Sequence, residues 1–274
     1  MTTSAGPTPS AAVRFHQLHQ GPILVLPNAW DVASARLVEE AGASAVATTS
    51  AGLSWSCGVA DGEHLGLERI LDLTRRIVDA VDVPVTTDLE AGYAPDLEGL
   101  ARNVRAVLDA GAVGVNVEDG LPGGLRPLAE QAARIAALRQ EAGAGLFVNA
   151  RTDTYWRAVG AAGQSLLDET VRRAEAYLEA GASGIFVPGV KDRGVIEALV
   201  ARIPAPVNIL VGPGSPTIPE LADLGVARAS AGSAIALAAY GLVRRAATEL
   251  LGAGTYTELA GAAGYPTMNA LLSR

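Results

Sequence analysis

Cysteine, lysine, histidine and aromatic side chains are all scarce in this chain of 274 residues. Its single cysteine, Cys57, excludes an internal disulfide and the disulfide-stapled secreted scaffolds. Lysine is nearly absent (Lys191 alone) while arginine is plentiful, which is a compositional bias rather than chemistry. Net positive charge is missing too. At −8 overall, the chain is a poor partner for nucleic acid or an anionic membrane. The best apolar stretch, 234–243, is far shorter than the roughly 20 residues a membrane-spanning helix needs. The opening MTTSAGPTPS has no charged start followed by an apolar core, so the expectation is no signal peptide and a soluble, cytoplasmic protein. An anionic small substrate would need local positive charge, from a metal or a placed arginine.

What is present suits a compact enzyme: 49% hydrophobic and 18% charged residues, and length enough for one large core. A small-residue phrase recurs at Glu40-Ala-Gly-Ala, Asp109-Ala-Gly-Ala, Glu141-Ala-Gly-Ala, Glu179-Ala-Gly-Ala and, more loosely, Asp223-Leu-Gly-Val. Each follows an amphipathic stretch and precedes a β-rich run, and its glycine is suited to the left-handed turn that ends a helix. Reading outward gives eight candidate strands at 23–27, 45–50, 83–88, 114–119, 145–151, 184–189, 207–211 and 227–232. Helical stretches lie between them, among them 30–41, 67–81, 96–110, 127–142, 167–180 and 233–251. The alternation predicts parallel βαβ units. LPNAWD after the first strand lacks the glycine-rich turn of a dinucleotide-binding sheet, so a (β/α)8 TIM-type barrel is the expected fold. Its expected division is a disordered tail at 1–10, the barrel at 11–252, and a C-terminal helical extension at 253–274 that packs on a neighbouring subunit.

In such a barrel the chemistry belongs at the C-terminal ends of the strands, and the polar residues gather there. Strand 2 ends in Thr48-Thr49-Ser50, strand 3 in Asp88, strand 4 in Glu118-Asp119 and strand 5 in Asn149-Ala-Arg151-Thr-Asp153. Asn208 falls near the start of its strand, toward the other rim. In TTDLEAGY (86–93), Asp88 and Glu90 would face one way if the strand geometry continued. With Glu118 they make three carboxylates at one mouth, a hard-oxygen set suited to Mg²⁺ or Mn²⁺, with no His or Cys nearby to favour zinc. The expected arrangement is Asp88 as direct ligand, with Glu90 and Glu118 holding metal-bound waters. The competing explanation makes these acids helix caps or salt-bridge partners of Arg102, Arg105 or Arg126.

These phrases, with PNAWDVASARLVEEAGA (27–43), TTSAGLSWSCGVADGE (48–63), GVNVED (114–119), NARTD (149–153) and GIFVPG (184–189), resemble the isocitrate lyase/phosphoenolpyruvate mutase superfamily. The resemblance implies a Mg²⁺-dependent barrel enzyme acting on 2-oxo or 2-hydroxy acids, usually a tetramer that exchanges C-terminal helices. Carried over by position, it implies metal-site roles for Asp88, Glu90 and Glu118, and a substrate-contacting role for Arg151. It also implies a substrate-carboxylate loop at Ser50, Gly52 and Leu53, and an acid, Asp61, on a closing loop at about 54–66. The family lyases resemble one another in a Lys/Cys-Gly-His segment after strand 4. Here residues 118–126 read EDGLPGGLR instead, and Cys57 lies on another loop, where a small packing role is expected. The mutase-like members share a Lys and an Asn on that loop and a His after strand 6, where this chain has Pro188.

The expected function is therefore a Mg²⁺-dependent carbon–carbon lyase on 2-oxo or 2-hydroxy carboxylic acids, working through a pyruvate-type enolate. The alternatives are a phosphonate-type mutase or hydrolase and a non-catalytic barrel that binds a 2-oxo acid. A Schiff-base role for Lys191 is weighed against an exposed lysine at the solvated start of a helix (VKDRG). Asp61 and Tyr93 are the candidate bases. His16 and His19 are expected to face solvent or a subunit contact, His64 to lie on the closing loop, Asp31 to cap the first barrel helix, and Asp153 and Tyr155 either to orient Arg151 or simply to pack in the loop.

Overall fold

The computed structural model describes residues 10–157 and 164–273, so the expected tail falls almost wholly outside the described residues. The eight expected strands all form. They are β1 (Leu24–Leu26), β3 (Val46–Thr48), β4 (Val85–Asp88), β5 (Gly114–Glu118), β8 (Phe147–Arg151), β9 (Gly184–Val187), β10 (Val207–Leu210) and β11 (Arg228–Ser230). Two departures add strands. Pro27 has no N–H to give a ladder, so the first strand breaks there and resumes as β2 (Asn28–Ala29). Past β5, Gly120–Leu121 (β6) and Gly124–Leu125 (β7) form a small antiparallel hairpin.

Pairing in the main sheet is parallel throughout, in the order β1-β11-β10-β9-β8-β5-β4-β3-β2. Because β1 and β2 are separated by one residue, the two ends of that order meet and the sheet is a nearly closed barrel of the (β/α)8 type. Helices α2 (Val32–Glu40), α4 (Leu67–Ala80), α5 (Leu97–Asp109), α6 (Leu128–Ala142), α7 (Gln164–Glu179), α8 (Arg193–Arg202) and α9 (Ile218–Asp223) follow successive strands. Asp31 caps α2 as expected, accepting from the Ser34 N–H at 2.7 Å. The recurring glycines, Gly42, Gly111, Gly143, Gly181 and Gly225, all have positive φ, the conformation the repeated phrase required.

Two helices were not legible as such. Helix α1 (Ala11–Leu18) closes the bottom of the barrel with Phe15, which is fully buried edge-on against Phe147. Gly114 makes room for it, since a Cβ there would stand 2.6 Å from the Phe15 ring. His19 joins this plug rather than facing solvent: its ring stacks on Phe147 at 3.8 Å, and burial, then the charge of Arg228, pulls its pKa down to about 3. His16 is half-buried beside the same ring. Helix α3 (Ser50–Ser56) occupies the stretch expected to be loop, and Cys57 at its C-cap is exposed rather than packed. The helices α10 (Ala234–Gly252) and α11 (Tyr265–Leu272) end the chain. Within the chain α11 lies against α2, where Arg36 Nε donates to the Leu271 carbonyl at 3.2 Å. No described helix is long and apolar enough to cross a membrane.

Candidate active site

Strand alternation turns Asp88 and Asn116 into the barrel at the same level, since they are register partners on β4 and β5. Glu118 and Arg151 stand one step nearer the rim as partners on β5 and β8, and Arg151 Nη1 lies 2.7 Å from Glu118 Oε2. Asp153, fully buried, grips the other edge of that guanidinium, accepting from Nε at 2.6 Å and Nη2 at 3.1 Å. Its own backbone N–H donates to Asp119 Oδ1 at 2.8 Å. Asp119, also fully buried, accepts from Tyr177 Oη at 2.6 Å and Arg173 Nη1 at 3.1 Å. Arg151 is thus aimed by a chain of buried acids, the orienting role expected of Asp153.

The strand does not continue to Glu90. It ends at Asp88, Leu89 turns into the outer core, and Glu90 takes φ +47°, the left-handed region a side chain rarely adopts. Glu90 is therefore placed by a turn. Its Oε2 accepts from the Glu63 N–H at 2.7 Å, and Oε1 accepts from Tyr93 Oη. Tyr93, also at positive φ, receives the Glu63 carboxylate on its backbone N–H at 2.6 Å. The segment carrying Asp61 and Glu63 is thereby latched to the acid cluster. The Asp61 residue is largely exposed, yet its carboxyl end meets the Ser50 hydroxyl, and burial of that end, then Asp88, raises its pKa. His64 is exposed.

Burial raises the pKa of Glu118 to about 8, against the pull of Arg151 and with Asp153, Asp88 and Glu90 adding to the rise. Burial likewise raises Glu90 to about 7, opposed by the Tyr93 hydroxyl and reinforced by Asp88 and Asp61. Arg102, Arg105 and Arg126 relieve none of this, because they pair with Glu98, Glu141 and Glu130. Of the three expected metal ligands, Glu90 and Glu118 are turned to the partners above. Among the described residues, no three His, Cys, Asp or Glu side chains enclose an ion by themselves. Asp88 differs: Oδ1 is buried with no hydrogen-bond partner, and Oδ2 meets only the Ser50 N–H at 3.4 Å. An unpaired carboxylate oxygen amid crowded acids fits a divalent cation held by few protein oxygens and completed by water, as Mg²⁺ prefers.

The loop expected to hold a carboxylate is the start of α3. Ser50 stands beside Asp88, while the Leu53 N–H is spent on the Thr49 carbonyl at 3.0 Å and is closed to a ligand. Gly52 lacks a side chain because Trp30 Cβ and Thr49 Cγ2 lie 2.7 Å from where a Cβ would be.

One charged residue escaped the sequence reading. Arg228 of β11 is 1% exposed inside the barrel, between the plug and the acids. Nη2 reaches Asn116 Oδ1 at 3.3 Å, which also accepts from Asn149 Nδ2 at 2.8 Å, while Nε and Nη1 have no partner. Burial draws its pKa down to about 9, and Asp88 is the acid that opposes the fall. The signal was there: an arginine amid alanines in Ala-Arg-Ala-Ser has no surface reason to sit in a strand. Asn208 is also internal rather than at the far rim, accepting from Ser230 Oγ at 3.2 Å.

A parallel barrel whose charged side chains gather at the C-terminal rim has the arrangement of the TIM-barrel enzymes, whose chemistry is built on that face. The family model described as phosphoenolpyruvate phosphomutase matches residues 15–251, and the chain belongs to that family, within the isocitrate lyase/phosphoenolpyruvate mutase superfamily. It is 41% identical over 220 residues to an uncharacterized protein of Mycobacterium tuberculosis, covering 80% of this chain and 81% of the relative. Against 2-methylisocitrate lyase of Bacillus subtilis it is 35% identical over 205 residues, 71% of this chain and 65% of that enzyme. A phosphonopyruvate hydrolase solved with oxalate and Mg²⁺ superposes with a TM-score of 0.82 at 26% identity, over 96% of this chain and 94% of that one.

Proposed function

We propose that the protein is a Mg²⁺-dependent carbon–carbon lyase acting on 2-oxo or 2-hydroxy carboxylic acids. The observation that carries the reading is the pairing of Asp88, with its unpartnered buried oxygen, and Arg151, held rigid by Asp153 and Glu118. Asp88 would hold the cation directly, with Glu90 and Glu118 oriented around its waters. When bound, Mg²⁺ (or Mn²⁺) supplies a Lewis acid that polarises the 2-oxo and carboxylate oxygens of the substrate.

Arg151 anchors the substrate carboxylate by charge-assisted hydrogen bonds and neutralises charge that develops on the departing unit. Asp153 holds Nε and Nη2, so Nη1, shared with Glu118, would be the nitrogen that meets the substrate. Decarboxylation of a 2-oxo diacid requires such an electron sink and no general base. Cleavage of a 2-hydroxy acid requires a proton acceptor, and Asp61, its pKa raised by burial and then by Asp88, would be that group. Phosphonate chemistry is the weaker reading, since the Lys, Asn and His expected around a phosphoryl group have no counterparts in EDGLPGGLR or at Pro188.

The decisive assay incubates purified protein with a panel of 2-oxo and 2-hydroxy acids and follows release of 2-oxo acid product. Mg²⁺-dependent turnover above the metal-only background is expected. Tight Mg²⁺-dependent binding with no turnover anywhere in the panel would instead make the barrel a 2-oxo acid sensor.

The same reading includes a homo-oligomer. Helix α10 carries Val243 and Leu251 at 64% and 90% exposure, an apolar face that its own barrel leaves uncovered. Light scattering on Val243→Glu/Leu251→Glu should show dissociation. A chain ending near residue 252 that keeps the parent assembly would remove 253–274 from the exchanged segment.

A further inference from the structure

Past β9, β10 and β11 the rim changes character. A cavity of about 350 Å³ opens there, bounded by the residues following those three strands and by the first turn of α10. Trp156, Val190, Leu210 and Leu237 give it apolar walls, and no acid lines it. Leu210 sits two residues after Asn208, whose side chain lies in the barrel lumen against Ser230, so Leu210 faces the lumen as well. The cavity therefore borders the interior where Phe186 lies under Arg151, the guanidinium 5.8 Å from the ring centroid.

Two features make it a shaped recess. Trp156, five residues beyond Arg151, leaves its ring 57% exposed at the mouth. Its backbone presses on Gly189 so closely that a Cβ there would stand 3.1 Å from Trp156 Cα, which fixes the base of the ring. Lys191 ties Nζ to the Pro213 carbonyl at 2.8 Å and so braces the wall.

We infer that this cavity is the subsite for the part of the substrate remote from its carboxylate. It selects 2-oxo or 2-hydroxy acids that carry, beyond the carbons that react, an unbranched aliphatic tail of several carbons. The inference rests on the reading of Arg151 as the carboxylate anchor. With the acid end held there, the chain runs across Phe186 into the recess. Each methylene buried is worth about fourfold in affinity.

The test is a binding series by calorimetry, in Mg²⁺, of straight-chain 2-oxo acids from pyruvate to 2-oxooctanoate, with 2-oxoglutarate and oxaloacetate alongside. The dissociation constant is expected to fall about fourfold per methylene across the methyl-ended chains. Gly212→Phe is the blocking variant, because no atom lies within 4 Å of the position its Cβ would take. It should abolish the chain-length dependence and leave pyruvate binding unchanged; Leu237→Trp should do the same from the opposite wall. A flat series, or a length dependence that survives both variants, overturns the inference. Length dependence without Mg²⁺-dependent cleavage would sink the lyase reading and keep the subsite, whereas oxaloacetate turnover with a flat series would do the reverse.

Discussion

Between β3 and β8 the rim of the barrel carries Asp88, Glu90, Glu118 and Arg151, and burial, reinforced by the neighbouring acids, raises two of the acids toward or past neutrality. Between β9 and β11 the equivalent positions hold Phe186, Pro188, Leu210 and Ala231, with no acid along the cavity wall. The same strand–turn–helix repeat builds both halves, so the scaffold does not dictate the chemistry. The residues just past each strand do, because only there does a side chain escape the packed interior while remaining fixed by it. One half stores charge and the other excludes it, a division suited to a substrate with one polar end.

The largest effect should come from emptying the charged half. Asp88→Ala is expected to lower kcat/KM on the order of a thousandfold, and chelation of the metal to do the same. The melting temperature of the metal-free variant should hold or rise, since a crowded buried carboxylate is gone. Steady-state kinetics with thermal melts reads both; a large fall in melting temperature would make Asp88 structural.

Arg228 tests whether the halves are separable, because it belongs to β11 yet opposes Asp88. Arg228→Met should cost about a hundredfold in activity with no loss of melting temperature, as a buried cation with one long hydrogen bond is expensive to keep. Arg228→Lys should recover part of the activity. Loss of stability with full activity per folded molecule would reject the electrostatic role.

A smaller effect is the pH response. Glu118 and Glu90 have folded-state pKa values near 8 and 7, above their ordinary 4.5, so the folded protein binds the extra protons. Their contribution to stability is complete below pH 4.5 and is lost as pH rises through 7 to 8. Metal-free protein should therefore melt progressively lower from pH 6 to 8.5, Glu118→Gln should flatten that slope, and Mg²⁺ should raise the melting temperature most at the alkaline end. A metal-free profile that climbs over this range would contradict the assignment.

Smallest of all, Lys191→Met should change turnover by less than about twofold, and borohydride with pyruvate should trap no adduct, since the ammonium braces the Pro213 carbonyl. A stable adduct at Lys191 would move the chemistry into the apolar half.

Much of this was legible in the linear chain. The glycine phrases located the helix-to-strand turns, and Asp88, Glu118 and Arg151 fell at the strand ends. Glu90 was legible as an acid but not in its direction, because the strand stops two residues earlier and a positive φ re-aims it. The helix over Ser50–Ser56 was hidden by a composition of small polar residues that suits a loop equally well. His19 was assigned outside because its stacking partner, Phe147, lies far along the chain.

By itself, then, the sequence determined the barrel and the order of its elements, since hydrophobic period and turn chemistry act over a few residues, while phrases such as TTDLEAGY and NARTD carried the resemblance to the family. Closure of the sheet decided the rest. It set Arg228 beside Asn116, Phe15 against Gly114, and Trp156 over the ends of three later strands. Those meetings depend on register and strand tilt around a ring, quantities fixed only when every strand has found its neighbour.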